Sequence, residues 1–168
     1  MPIDKELSSS DYLIVQGSKI TCNSEVKNKH KFIFGSNIFE ANIFSWKIQI
    51  NKKVGWMAFG ISRPKKVIEN NYSFSGNANN SDHGCYLISS NGFFWNSNLK
   101  TQNNCKISNF SEIVVGDDIN FKFNKTAKTL EISNSKFSTR LENICCEPEE
   151  IRPVAIMMAN GDEITFSI

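Results

Sequence analysis

The sequence predicts an all-β chain folded as an antiparallel sandwich, and three observations carry that expectation. Roughly a dozen short apolar runs are separated by turn-forming residues at intervals of about 8–12 positions. Trp46, Ile48 and Ile50 alternate with Lys47, Gln49 and Asn51, the period-2 pattern of a strand with one buried face. Apolar residues spaced for a long helix are absent, while Asn, which favours turns over helix interiors, recurs throughout.

The stretch Trp46–Ser62 organises the rest. It reads as two adjacent strands of one sheet, with Asn51-Lys52-Lys53 as the turn between them. In the second strand Trp56, Ala58 and Gly60 share one face, and Met57, Phe59 and Ile61 share the other. A strand apolar on both faces belongs in the middle of a sheet covered on both sides. Gly60 inside it marks a bulge or a close approach of backbone.

Ahead of this pair, residues 1–10 (MPIDKELSSS) read as a flexible lead-in and residues 11–168 as a single domain. Tyr12–Val15 and Lys19–Cys22 are short strands joined by a Gly17-Ser18 turn. Asn23–Lys31 is a polar, basic loop, Phe32–Phe34 another strand, and Ile38–Phe44 leads into Trp46. Beyond Ser62 the pattern stops, and the longest irregular stretch runs to Asp82 with Val67, Ile68, Tyr72 and Phe74 as its apolar anchors. A long polar loop in a compact β domain points to function or mobility.

Strand character returns at Gly84–Ser89 and Phe93–Trp95, which flank the hairpin signal Asn91-Gly92. Asn96–Asn104 is a polar loop. Gly116-Asp117 introduces Ile119, Phe121 and Phe123 on one face, and a turn at Asn124–Lys128 reverses the chain into Leu130 and Ile132. Ser133–Glu150 is polar, with a single helical turn at Glu147–Glu150. Pro153–Met158 and Ile164–Ile168 close the chain around an Asn160-Gly161-Asp162 turn.

Composition excludes several function classes. A formal charge of +2 supplies no field for nucleic acid or a membrane surface. The N-terminus lacks the apolar core of a signal peptide and no run is long enough to span a bilayer, which predicts a cytoplasmic protein. The 5 cysteines have no metal-ligand spacing and read as free thiols of a reducing compartment. Cys145-Cys146 closes no ordinary disulfide without strain.

Catalytic constellations are missing too. Asp82-His83-Gly84-Cys85 suggests a Cys–His pair but lacks an orienting third group. Asp117-Asp118 after Gly116 reads as a turn, and Glu147, Glu149 and Glu150 as a solvated loop face. No glycine-rich phosphate loop is present, and no cofactor is implied. Trp46, Trp56 and Trp95 read as core residues before any stacking platform. Arg63–Lys66 reads as a solvated turn or, with Tyr72 and Phe74, as a contact surface of the residue types enriched in binding hot spots.

Several motifs, in order, resemble those of the SPRY domain family from about Tyr12 to Ile168. They are Phe44-Ser45-Trp46-Lys47-Ile48, then Gly55-Trp56-Met57-Ala58-Phe59-Gly60-Ile61, then Gly84-Cys85-Tyr86 with Asn91-Gly92 and Trp95-Asn96. Val115-Gly116-Asp117-Asp118-Ile119, Thr129-Leu130 and Arg152-Pro153-Val154 complete the set. Ser45 and Lys47 stand where the family usually has an aromatic and an acidic residue.

The resemblance implies a bent, concanavalin-like sandwich of two antiparallel sheets without catalytic activity. It also implies that loops at one end grip a short peptide or a loop of a partner protein. The positions matching those loops are Arg63 and Pro64 after the second strand, Tyr72, Phe74 and His83 in the long loop, and the turns at Asn96 and Asn160. Tyr86 would form the pocket floor. The expected function is an adaptor or a subunit of a larger assembly, with any ubiquitin-ligase link made through another chain. A carbohydrate- or nucleotide-binding sandwich is the alternative.

Overall fold

The computed structural model describes residues 1–26, 29–36, 41–72, 82–144, 147 and 150–168. In chain order the strands are β1 (Ile3–Asp4), β2 (Leu13–Gln16), β3 (Lys19–Cys22), β4 (Lys31–Gly35), β5 (Ile43–Lys52) and β6 (Met57–Ser62). A short helix, α1 (Pro64–Glu69), precedes β7 (Cys85–Ser89), β8 (Phe93–Asn96) and β9 (Cys105–Lys106). Then come β10 (Asp118–Asn124), β11 (Thr129–Ser133), β12 (Ser138–Leu141), β13 (Arg152–Met157) and β14 (Glu163–Ser167). They form two antiparallel sheets of 7 strands each among the described residues. The first is ordered β1-β4-β13-β6-β7-β8-β9, the second β12-β11-β10-β5-β14-β3-β2.

The expected all-β sandwich is therefore present, but its central pair is arranged differently. β5 and β6 are not neighbours. β5 lies between β10 and β14 in the second sheet, while β6 lies between β13 and β7 in the first. Residues 53–56 carry the chain across the sandwich instead of turning a hairpin. Both strands turn apolar faces into one core: Trp46, Ile48 and Ile50 from one side, Met57, Phe59 and Ile61 from the other. Alternation reports that a face is buried and not which strand lies alongside, so it permits either connection.

β6 is central and buried along its whole length, as its two apolar faces predict. Its outward face joins a second cluster with Phe32, Phe34, Leu87 and Val154, covered by Val67 of α1 and by Leu7, Trp56 and Tyr72. Gly60 is the close approach expected: a Cβ there would lie 2.2 Å from the Tyr86 carbonyl oxygen on β7. Trp46 is a core residue, stacked on Phe121 at 5.0 Å between ring centres.

Three further segments differ from expectation. Residues 1–10 dock on the sheet: Ile3 and Asp4 pair with Gly35 and Phe34, and the Ser8 and Ser9 hydroxyls accept the Phe34 and Phe32 amides. These bonds cover the exposed edge of β4. The stretch after Ser62 starts as helix α1, with Pro64 at its first turn, where the missing N–H costs nothing. Six residues with Pro64 and Val67 buried are too few to show a helical period. β12 is a further strand, an edge strand whose sequence Ser-Thr-Arg-Leu has Leu141 as its one apolar residue and so shows no apolar alternation. The predicted Ser89–Phe93 hairpin is present, with Leu87 opposite Trp95. The Asp117 carboxylate accepts the Val114 amide at 2.9 Å, in keeping with a turn role. Cys145-Cys146 and the middle of the Glu147–Glu150 turn lie outside the described residues.

Candidate functional site

β6 runs from Met57 to Ser62, a span of roughly 17–20 Å, and separates two ends of the sandwich. Ser62 pairs with Arg152 and Cys85, so the chain on either side of α1 emerges at the Ser62 end. There the Arg63 amide donates to the Gly84 carbonyl at 2.8 Å, which brings residues 63 and 84 together. The Arg63 guanidinium donates to the Asp82 carboxylate, and Lys66 Nζ lies 3.2 Å from the other Asp82 oxygen. Burial opposes the charge on Asp82, but hydrogen bonds from Arg63 and Lys66 outweigh it and hold this carboxyl below its ordinary pKa. Arg63, Lys65, Lys66, Glu69, Asp82 and Glu150 line a notch of about 280 Å³.

Of the residues expected in a binding pocket, Arg63 lines this notch, while Pro64 is buried at the helix start. Tyr72 folds back over the first sheet, its hydroxyl donating to the Leu7 carbonyl at 3.0 Å and its ring 5.9 Å from Phe32. Phe74 lies outside the described residues. His83 is buried; Nδ1 accepts the Cys85 amide at 3.2 Å and Nε2 faces Asn103 Oδ1 at 3.1 Å. Burial lowers its pKa, although Asn103 and Asp82 act in the opposite sense. Tyr86 is fully buried in the core between the sheets, with its hydroxyl on Asn98.

Asn96 is also buried. Its Oδ1 accepts the Asn98 and Leu99 amides at 3.0 Å each, and its Nδ2 donates to the Glu142 carbonyl at 2.8 Å, tying β8 to the chain after β12. Asn160 is exposed, and follows β13 where Met157 pairs with Met57. It therefore sits at the opposite end from Arg63. The structure gathers Arg63 and Pro64, with His83 and Asn96 buried behind them, and separates Asn160 from the group.

Sequence reasoning missed Lys66 and Asp82 as partners of Arg63. Pro64 was the available signal, since a helix starting there places Arg63 and Lys66 three apart on one face. Cys85 is fully buried, and burial pushes its thiol far above its usual range against the opposing pull of Arg63. Among the described residues no three His, Cys, Asp or Glu side chains gather as metal ligands. No helix among them is long and apolar enough to cross a membrane.

No family model matches the chain, and no curated protein matches it. Solved structures do. The SPRY domain of human HERC1 superposes with a TM-score of 0.70 at 15% identity, covering 98% of this chain and 96% of that one. A second human SPRY domain gives 0.62 at 16% identity, covering 93% and 94%. At such low identity the likeness resides in strand order and packing, and it extends over nearly the whole of both chains. In fold, this chain is a SPRY-like domain.

Proposed function

We propose that the chain is a non-enzymatic protein-interaction module whose Ser62 end holds a short peptide or loop of a partner, as an adaptor or a subunit of a larger assembly. The observation that carries this reading is the Arg63–Asp82–Lys66 cluster. It anchors both flanks of the 64–82 excursion to one end of a SPRY-like sandwich and leaves a notch that displays both signs of charge. Such a notch suits a polar segment whose charges alternate with those of its walls. The full burial of Cys85 and the hydrogen bonds of His83 to the Cys85 amide and Asn103 support the reading that this pair plays no nucleophile–base role.

The test is affinity capture from source-cell lysate with cross-linking mass spectrometry, comparing wild type with Arg63→Glu/Lys66→Glu. Tyr72 is left intact because it packs against Phe32 and Leu7. A partner cross-linked near residue 63 by wild type and lost by the variant, with an unchanged melting profile, supports the reading. Equal retention by both proteins, or none by either, overturns it.

A further inference from the structure

Among the described residues the two sheets end on β1, β9, β12 and β2. An edge strand presents a row of unpaired main-chain groups, which short length, charge or a covering group normally blunts. Three of these edges are blunted. β1 and β9 are two residues long, and each includes a charge, Asp4 and Lys106. β12 carries Arg140, whose carbonyl accepts Gln102 Nε2 at 3.0 Å. β2 differs, because its sequence Leu-Ile-Val-Gln holds neither charge nor proline.

Pairing with β3 fixes which main-chain groups of β2 point outward. The Asn23 amide donates to the Tyr12 carbonyl at 2.9 Å, and in an antiparallel pair every second residue bonds the same neighbour. Ile14 and Gln16, opposite Thr21 and Lys19, therefore direct their N–H and C=O groups to β3. Leu13 and Val15 direct theirs away from the sheet. The side chains of Leu13 and Val15 are half-buried against the core, while Ile14 is 44% exposed on the other face. Beside them lies a notch of about 170 Å³, bordered by Ile3, Lys5, Ser8, Leu13 and Val15. It lies between an edge of the first sheet, β1, and an edge of the second, β2. The notch is below the roughly 300–1,000 Å³ of a small-molecule cleft and suits an aliphatic side chain. Among the described residues, the charged side chain on its border is the exposed ammonium of Lys5.

We propose that β2 is a strand-addition site, and that its occupant is an extended segment of a partner protein with alternating aliphatic residues and one Asp or Glu. The added strand pairs with the outward N–H and C=O groups of Leu13 and Val15, which supply affinity without regard to sequence. Side-chain alternation then sends one aliphatic residue into the notch beside Ile3 and lays its neighbours over Ile14 on the opposite face. The carboxylate meets Lys5, and a basic segment is repelled there. A second copy of this chain fits less well, since its own edge, Leu13–Gln16, carries no carboxylate for Lys5. The proposal does not depend on the notch at the Ser62 end.

The experiment is a phage-displayed library of random linear peptides selected on the full chain, with counter-selection on Ile14→Lys. Enriched peptides are then synthesised and titrated by fluorescence anisotropy. The expected consensus alternates aliphatic residues around an acidic one. Ile14→Lys, and Val15→Pro, which removes an outward donor and no bond to β3, each weaken binding about tenfold or more. Lys5→Glu weakens it about fivefold, as for an exposed charge pair, and Arg63→Ala leaves it unchanged. In the complex, hydrogen exchange at the Leu13 and Val15 amides slows about tenfold or more, while Ile14 and Gln16, already bonded to β3, change less. Ile14 is exposed, so Ile14→Lys should melt as wild type does and keeps the test valid if Val15→Pro unfolds. No enrichment, a basic consensus, binding indifferent to Ile14→Lys, or no added protection at residues 13 and 15 overturns the proposal. A free chain that sediments as a dimer, and as a monomer once Ile14→Lys is made, also overturns it, because the occupant is then a second copy.

Discussion

At the Ser62 end the charged groups stand at the surface and neutralise one another: Arg63 and Lys66 on Asp82, and Lys66 again 3.8 Å from Glu69. At the Met57 end the arrangement is inverted. Val26 and Val54 face solvent, while Lys31 and Asp162, bonded to their backbone, lie beneath them with no exposure. The same strands supply both ends, so the difference comes from the connections. The contrast separates two ways of shaping a surface. Exposed ion pairs are individually weak and screened by salt, so they tune recognition more than stability. Buried polar groups bonded to backbone are costly to disturb, so they fix a shape.

The largest effect should come from the scaffold that both ends share. Gly60→Ala drives a Cβ into the Tyr86 carbonyl, 2.2 Å away. It should cost at least about 4 kcal/mol in a denaturant titration, abolishing both surfaces together. A mild effect would mean that β6 and β7 can separate at little cost.

Next comes a change confined to the Met57 end. Asp162→Ala leaves the amides of Val54, Gly55 and Ala159 without their acceptor, for a loss of about 3 kcal/mol. Hydrogen exchange should rise at 54–55 and 159 and stay unchanged at 82–86. Equal deprotection at both ends would dissolve the distinction drawn between them. Lys31→Met, which preserves the aliphatic stem but removes the donor to Val26 and Met158, should cost about 2 kcal/mol with the same localisation.

The smallest effect belongs to the Ser62 end. Asp82→Asn should change stability by less than about 1 kcal/mol, since the Asp82 side chain is half exposed and its pairs are screened by solvent. The folded state depresses the Asp82 pKa, so its contribution is present above the ordinary carboxyl value. It is lost as the pH falls through the depressed one. Melting temperatures of wild type and Asp82→Asn should therefore converge in acid, below about pH 4. A gap that widens in acid would contradict the sign of this shift.

Much of the fold was legible because its pattern is local. Ile119, Phe121 and Phe123 alternate and β10 follows; Asn91-Gly92 marks a turn and β7 pairs with β8 across it. Arg63 was legible as a surface residue in an unpatterned stretch. Its partners were not, because Asp82 lies 19 residues away and reaches it only when Gly84 bonds back to Arg63. Tyr72 and Asn96 have the residue types of binding surfaces, yet their hydrogen bonds to Leu7 and Glu142 make them struts of the framework.

The limit of such reading is clearest at Lys31 and Asp162. Alternation settles which faces of β5 and β6 leave water, because side-chain direction follows from the pleat of each strand. It does not settle that the two strands face each other across a core, since burial by a neighbour and burial by an opposing sheet leave one pattern. Nor does any local rule bury a lysine and an aspartate. Both are normally exposed, and both are held here by carbonyls and amides that come together only when residues 26, 54, 55, 158 and 159 meet at one end of the sandwich.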